Sequence, residues 1–365
     1  MRPTLLRRRA LCAVGALIPF LLPGQAVAQT RNALNPEISF IGDVRALAGD
    51  TVPGDLVFEF TELEIGATAS LNPFANGSIF VGLHDGEIEV EEGFVAFTAL
   101  PGGFGLRAGR FLVDQGRFAG QHSHTFSYLD MPLFVQEFFG QEGLGAVGIN
   151  PTRLIGLGDT AVTISANALG GLAGHEHTDE EDVPEEEAHG EEPRYLHDLT
   201  YTGRVSAFVE LGDISNLDVG VGGGTRVPDP DSGLRATWFG ADFKYKWRPD
   251  ARRSFSLVGE LLQHRQEVAG TAGVSTEDAI GIFAAADLQV RRHWNFGALI
   301  DHTQLAEDAD SDRTGVGIFA GYSLFEETTL VRFLVRRDAA SGQDEETTYQ
   351  LQLVSSMGPH KPHQF

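Results

Sequence analysis

Two short stretches of this chain combine histidines with carboxylates at spacings that suit a metal ion. The first, residues 175–198, contains eleven acidic residues and the four histidines His175, His177, His189 and His197. Imidazole together with carboxylate suits Zn²⁺, Ni²⁺ or Cu²⁺, whereas carboxylate alone suits Ca²⁺ or Mg²⁺. The composition therefore predicts either capture of Zn²⁺ or another divalent cation, or a solvated acidic loop without a specific metal.

The second stretch is His122-Ser123-His124, with Asp130 and Glu142 following it in the sequence. In an extended segment, residues two positions apart point to the same side, so both imidazoles could reach one ion. The alternative is that both rings hydrogen-bond the segment to neighbouring structure, because buried polar groups are normally satisfied. Both interpretations place His122 and His124 in a structured environment.

A third set consists of charged residues that alternate with apolar ones along extended runs. If those runs are strands around a lumen, the charged side chains line a pore. The pore-lining candidates are Arg107, Arg204, Glu210, Asp242, Lys244, Asp287, Arg291, Asp301 and Arg332. They could form neutralising pairs on the wall of a water-filled barrel, or a transverse field that sets the selectivity of a channel.

The elements that would position these residues are strands. From Pro36 onward the sequence alternates with a period of two, as in residues 237–247 and 280–291. We count about sixteen such runs, many of ten residues or more, and a transmembrane strand needs about 9–11 residues. The predicted fold class is all-β, a transmembrane antiparallel β-barrel of about 16 strands. Every second connection is tight and the others are longer and acidic, which is typical of periplasmic turns and outer loops.

The longest aromatic-rich connection, residues 113–144, is predicted to fold into the barrel. Its Phe134, Val135, Phe138 and Phe139 would otherwise expose an apolar patch to water. Long structured loops of this kind are usually functional. We expect Asp130, Phe134, Phe138 and Glu142 to form a constriction in the lumen.

The first 28 residues have the features of a signal peptide. Arg7-Arg8-Arg9 precedes a short apolar run, and Ala26-Val27-Ala28 offers small residues for cleavage. We therefore expect a signal peptide over residues 1–28 and an outer-membrane β-barrel over residues 29–365. The one cysteine, Cys12, lies in the first segment, which argues against a disulfide scaffold or a cysteine-based site in the barrel.

The composition also bears on partners and chemistry. The formal net charge of −24 disfavours nucleic acid as a partner and favours cations. The sequence contains no G-x-S-x-G, H-E-x-x-H or P-loop motif, so we expect no enzymatic activity and no required cofactor. A divalent cation such as Zn²⁺ is the one cofactor that the residues suggest.

A family resemblance follows from these motifs. Ala108-Gly109-Arg110-Phe111, the long loop after it and the sixteen-strand plan resemble the trimeric porins and the phosphate-selective porin group. The block from His122 to Leu133, with Phe139-Gly140-Gln141-Glu142-Gly143-Leu144, resembles an uncharacterised porin-like outer-membrane family. The resemblance implies an inward-folded third outer loop, contact with outer-membrane lipid and lipopolysaccharide, insertion by the outer-membrane insertion machinery, and a homo-trimer. Phosphate porins carry basic ladders, from which this acidic chain departs.

Together these observations predict an outer-membrane porin-like channel of a Gram-negative cell for passive diffusion of small solutes or ions. The acidic balance favours cations, and the histidines suggest a relation to metal. The alternative is a surface metal-binding protein whose barrel serves as an anchor.

Overall fold

In a computed structural model, the chain forms a closed barrel of sixteen β-strands, each antiparallel to its neighbours. The structure describes residues 36–50, 52–84, 87–141, 143–172, 195–270, 273–325 and 328–358. The predicted signal peptide, Glu142 and the histidines His175, His177 and His189 lie outside the described residues. The predicted fold class is confirmed.

The first eight strands are β1 (Glu37–Gly49), β2 (Val57–Asn72), β3 (Ala75–His84), β4 (Glu87–Leu100), β5 (Phe104–Leu112), β6 (Gly145–Leu157), β7 (Thr160–Leu172) and β8 (Thr200–Glu210). The second eight are β9 (Ser215–Arg226), β10 (Ala236–Asp250), β11 (Arg253–Gly270), β12 (Gly273–Arg291), β13 (Trp294–Gln304), β14 (Asp312–Ser323), β15 (Thr329–Ala340) and β16 (Glu346–Met357). Each strand pairs with the next in sequence, and β1 closes the barrel on β16 with Asp43 opposite Val354.

The polarity of the wall is the reverse of that in a soluble protein. Along β16, Tyr349, Leu351 and Leu353 are 46–48% exposed on the outside. Between them, Gln350 and Gln352 are 8% and 0% exposed because they point into the lumen. An apolar outer surface around a polar interior is what a barrel in lipid requires. Within the described residues, no helix is long and apolar enough to cross a membrane.

The connections fall on two rims. The rim that carries the β2–β3, β4–β5, β6–β7 and β10–β11 connections has only tight turns, as predicted for the periplasmic side. The opposite rim carries the two long connections, after β5 and after β7. The prediction that every connection on this rim is long is wrong for β11–β12, because these strands stay paired out to Gly270 and Gly273. It is also wrong for β3–β4, where His84 still pairs with Glu87.

The connection after β5, residues 113–144, is called the inner loop from here on. It enters the lumen as predicted, and a hydrogen bond from the Val113 N–H to the Leu144 carbonyl closes its base at 2.8 Å. It contains a 3₁₀ turn, η1 (Ser123–Thr125), and one short helix, α1 (Leu133–Phe139). Its apolar side chains supply much of the buried core, which includes Phe118, Leu129 and Phe134. The core of this barrel is therefore the contact between the inner loop and the wall.

Candidate functional site

The first part of the inner loop is held by carboxylates from β9, β10 and β11. One carboxylate oxygen of Glu260 accepts hydrogen bonds from the backbone N–H groups of Arg117 and Phe118, with N···O distances of 2.7 and 3.3 Å. The Arg117 guanidinium contacts Asp242 at 3.0 Å and Asp218 at 3.1 Å. Arg204 donates to the same Asp242 carboxylate. These bonds neutralise two arginines of the lumen with carboxylates of the wall.

The middle of the inner loop is held by the opposite wall. Arg45 on β1 donates to the Asp130 carboxylate at 3.0 Å and to the Leu129 carbonyl at 3.2 Å. Gln350 on β16 donates to the other oxygen of Asp130 at 2.9 Å. The side chain of Asp130, which was predicted to lie near the two loop histidines and to narrow the lumen, is thus bonded to β1 and β16.

The helical part of the inner loop packs against β11 to β13. The side chain of Phe134 lies directly on Gly281 of β12, where a Cβ would overlap the Phe134 Cβ. Phe138 stacks on the ring of His264 with 4.6 Å between centroids. Asp301 accepts the Leu133 N–H at 3.0 Å, which anchors the start of α1. Phe134 and Phe138 therefore fasten the inner loop to the wall, and their predicted role in a constriction stays a prediction.

The loop histidines meet a set of wall residues that we call the lumen cluster. The lumen cluster consists of Glu62, Glu64, His84, Glu91, Glu92, His122 and His124. Glu62 and Glu64 come from β2, His84 from β3, and Glu91 and Glu92 from β4, so three adjacent strands face one turn of the inner loop. No other group of three or more metal-ligand side chains this close together occurs within the described residues.

The contacts inside the lumen cluster are short and directional. His124 Nδ1 lies 3.1 Å from Glu62. His122 Nδ1 lies 3.2 Å from Glu91 and 3.6 Å from Glu64, and its Nε2 lies 3.1 Å from Glu92. The two imidazoles stack with 5.4 Å between centroids and 16° between planes. The rings thus lie side by side, although the segment was predicted to be extended and Ser123–Thr125 forms a 3₁₀ turn instead.

Two β-bulges explain how so many carboxylates reach one place. Opposite β1, Asp43 pairs with Glu62 and Val44 with Phe60, so Thr61 is the extra residue. Opposite β3, Phe80 pairs with Glu92 and Val81 with Val90, so Glu91 is the extra residue. A bulge redirects side chains locally, and as a result consecutive Glu91 and Glu92 are both buried in the lumen.

A glycine provides the space for this arrangement. Gly82 lies on β3 between Glu64 and Glu89 of the adjacent strands. A Cβ at position 82 would overlap the Glu91 carboxylate and come within 2.5 Å of His84 Nε2. The absence of a side chain here lets His84 and Glu91 meet at 2.8 Å.

The electrostatic environment acts most strongly on His122. Burial alone lowers the pKa of this imidazole, because it disfavours the charged form. Hydrogen bonds to Glu91 and Glu92 and the attraction of Glu64 outweigh burial, so that the pKa of His122 is raised well above its usual range. The carboxylates of the lumen cluster therefore favour a positive charge at this position.

The lumen cluster lies between two cavities. A cavity of about 660 Å³ occupies the half of the barrel near the tight turns and is lined by Arg117, Tyr128, Lys244, Lys246 and Asp287, among others. A smaller cavity of about 70 Å³ lies between the inner loop and β2 to β5 and is lined by Glu62, His84, Glu91 and Arg110. His122 lines both cavities. It therefore stands at their junction.

The predicted pore-lining residues occupy different depths of the barrel. Arg204, Asp242, Asp301 and Arg332 point inward and contact the inner loop or its partners on the wall. Arg107 lies over the Phe111 ring at 4.1 Å. Lys244 and Asp287 line the larger cavity. Glu210 and Arg291 are exposed near the tight-turn rim.

The structure brings together residues that the sequence analysis had not joined. It places His122 and His124 against Glu62, Glu64, Glu91 and Glu92, and it adds His84. Period-two alternation does not predict that adjacent acids such as Glu91 and Glu92 both point inward, because it does not reveal a β-bulge. His197, the described member of the first histidine stretch, lies outside the lumen, with a side chain 70% exposed and 3.2 Å from Asp198.

Comparison with known sequences gives limited information. No family model matches the chain. An uncharacterised protein of Aquifex aeolicus (strain VF5) is 25% identical over 261 residues, which cover 66% of this chain and 53% of that protein. The chain therefore spans about half the length of this relative.

Several solved structures of outer-membrane proteins are similar in fold to this chain. An anion-selective porin from Comamonas acidovorans aligns with a TM-score of 0.56 at 8% identity, covering 88% of this chain and 99% of that one. OprB of Pseudomonas putida aligns at 0.58 and 9% identity, covering 88% and 94%. OmpT of Vibrio cholerae in its trimer form aligns at 0.54 and 11% identity, covering 88% and 99%. At these identities the likeness concerns the fold.

Proposed function

We propose that this chain, which has the fold of the outer-membrane porins, is a passive diffusion channel of the cell outer membrane that prefers cations. The observation that carries the proposal is the lumen cluster at the junction of the two cavities. Because one similar structure is an anion-selective porin, the shared fold leaves the sign of selectivity open. Selectivity must then come from the side chains that line the lumen.

The charge balance near the junction favours cations. Glu62, Glu64, Glu91 and Glu92 are gathered there, and Arg110 is paired with a fifth carboxylate, Glu89, at 2.6 Å. Four of the arginines elsewhere around the inner loop are engaged by acids: Arg45 by Asp43, Arg117 and Arg204 by Asp242, and Arg336 by Asp301 and Asp338. These pairs cancel much of the positive field around the inner loop, and in the lumen cluster four carboxylates outnumber three histidines.

The test is a reversal-potential measurement in a planar bilayer under a KCl gradient, with a chelator present. We expect a K⁺/Cl⁻ permeability ratio above one. The double variant Glu62→Gln and Glu64→Gln should bring the ratio closer to one, because it removes two carboxylates beside the junction. Glu59→Gln is the matched control, since Glu59 lies on the same strand but is exposed.

Two results would count against the proposal. Anion selectivity would refute the cation preference but would be compatible with a diffusion channel. Absence of conductance from correctly folded protein that still binds Zn²⁺ would instead favour a surface metal-binding protein with the barrel as anchor, in which His175, His177, His189 and His197 would carry the binding.

We also propose a homo-trimer, because one similar structure is described as a trimer form. Its outer surface would contact outer-membrane lipid and lipopolysaccharide. The mass of the detergent-solubilised protein, measured by light scattering, checks the oligomeric state. A monomeric mass in mild detergents would refute the trimer without affecting the channel.

A further inference from the structure

We propose that Glu62, Glu64, His122 and His124 form a site for a divalent transition-metal ion that joins the inner loop to β2. Each residue offers one ligand atom, and these four atoms all lie within 4.8 Å of one another. Two imidazoles and two carboxylates suit Zn²⁺ and similar first-row ions better than Ca²⁺ or Mg²⁺, which take oxygen ligands. The site goes beyond the proposed channel, because it does not require conduction.

The geometry needs little adjustment to accept an ion. Zn²⁺ binds imidazole nitrogen and carboxylate oxygen at about 2.0–2.2 Å, so tetrahedral ligand atoms lie about 3.3–3.6 Å apart. His124 Nδ1 and Glu62 are already 3.1 Å apart, and His122 Nδ1 and Glu64 are 3.6 Å apart. Ligand atoms up to 4.8 Å apart must therefore close in by about 1.5 Å at most, which rotation of the side chains can supply.

The ligand residues are positioned before any ion arrives. Glu62 and Glu64 are two residues apart on one strand, so both point into the lumen. The backbone carbonyl of His124 accepts a hydrogen bond from Arg332 at 3.1 Å, which fixes the turn that carries both histidines. The contact of His122 Nε2 with Glu92 at 3.1 Å orients its ring, in the way that outer carboxylates orient histidines around zinc.

An ion can reach the site without unfolding of the inner loop. Glu62 and His122 both line the smaller cavity, and His122 also lines the larger one. A second group of close ligand atoms, from Glu62, His84 and Glu91, lies against the same cavity and shares Glu62 with the first. This second group offers a position through which an ion passes on its way to the four-residue site.

The competing explanation is that the histidine–carboxylate contacts only hold the inner loop to the wall. The two explanations differ in metal binding, so the test measures binding to the purified full-length barrel in detergent after chelator treatment. The background carries His175→Ala, His177→Ala, His189→Ala and His197→Ala, which removes the outer histidine stretch. Zn²⁺ is titrated calorimetrically, and Co²⁺ is titrated by the visible absorption that reports a low-coordinate nitrogen and oxygen site.

We expect one Zn²⁺ per chain and a Co²⁺ spectrum that Zn²⁺ abolishes. Adding His122→Ala and His124→Ala should weaken binding by at least about 100-fold, since even outer-sphere partners of a metal contribute about 10–100-fold. Glu64→Gln, which keeps size and shape, should weaken it in the same direction. His302→Ala on β13 is the matched control and should bind normally, because His302 contacts Thr314 and lies outside the lumen cluster.

Each remaining outcome overturns the proposal. Absence of stoichiometric Zn²⁺ binding in the background protein would mean that the contacts are structural only. Undiminished binding in the Glu64→Gln and double-histidine variants would place the ion elsewhere. Heat-dependent migration on gels shows whether each variant is a folded barrel, and the shape-preserving Glu64→Gln variant decides the matter if the alanine variants do not fold. None of these readouts depends on conduction, so failure of the channel proposal would be recognised separately.

Discussion

At the scale of single residues, the position of the inner loop depends on a few buried carboxylates of the wall. These carboxylates accept hydrogen bonds from backbone N–H groups of the loop. Glu260 is 4% exposed and accepts the N–H groups of Arg117 and Phe118. Asp301 is 1% exposed and accepts the Leu133 N–H. These bonds span more than 140 positions of sequence, so each ties the loop to a distant strand.

Replacing Glu260 by glutamine should therefore loosen the loop. Glutamine keeps the shape but loses the charge that strengthens both bonds, and we expect a loss of about 1–3 kcal/mol in the free energy of unfolding. The measurement is denaturant unfolding followed by near-ultraviolet circular dichroism. Glu59→Gln serves as control and should change the stability little, because Glu59 is exposed. Equal stability of the two variants would contradict the anchoring role of Glu260.

Single residues also mark the limit of what the sequence could predict. His122 and His124 were recognisable because two histidines at a spacing of two can point to the same side of an extended segment. Glu91 and Glu92 could not be recognised, because adjacent residues of a regular strand face opposite sides. The bulge that turns both inward depends on the pairing of β4 with β3, which local periodicity does not record.

At the scale of elements, the strands could be predicted from the sequence. The path of the inner loop could be predicted only in part. Period-two alternation indicates sixteen runs, because one face of each strand meets lipid and the other meets the lumen. The apolar side chains of residues 113–144 predict that the loop enters the barrel. They do not predict which strands it meets: the ring of Phe138 stacks on His264 of β11, and Phe134 lies on Gly281 of β12.

The close contact between α1 and β12 gives a test of this arrangement. In Gly281→Ala the new methyl group would overlap the Phe134 side chain, and such overpacking costs about 1–3 kcal/mol. We expect the helix to shift off the wall, which should increase cleavage of the inner loop by added protease and increase current noise. Gly156→Ala is the control, because a Cβ there meets no atom within 4 Å. Identical cleavage of both variants would mean that α1 does not depend on close contact at Gly281.

At the scale of the whole molecule, the charged side chains of the lumen include two sets, the arginines paired with carboxylates and the carboxylates of the lumen cluster. Several arginines of the lumen are paired with carboxylates, and the pairs Arg45–Asp130 and Arg117–Asp242 hold the inner loop, so these arginines contribute to structure more than to the field. The carboxylates of the lumen cluster are matched mainly by histidines and lie where the cavities meet. The proposed cation preference and the proposed metal site both rest on this arrangement, although either proposal can hold without the other.

This arrangement predicts that Zn²⁺ changes ion selectivity. A bound ion adds two positive charges beside the junction, within the Debye length of about 8 Å at physiological salt. We expect Zn²⁺ to lower the K⁺/Cl⁻ permeability ratio of the native chain and a chelator to restore it, as measured by the reversal potential. Mg²⁺ at the same concentration is the control, because it screens the acidic outer loops equally but is a poor ligand for imidazole.

The double variant His122→Ala and His124→Ala decides where the Zn²⁺ effect arises. This variant retains Glu62 and Glu64, so its K⁺/Cl⁻ permeability ratio without metal should still exceed one. Zn²⁺ should change this ratio no more than Mg²⁺ does. His302→Ala should respond like the native chain, because its imidazole lies away from the junction. A Zn²⁺ response that persists in the double variant would locate the effect at the outer mouth, where exposed His197 and the acidic loops lie, and would separate the metal from the lumen.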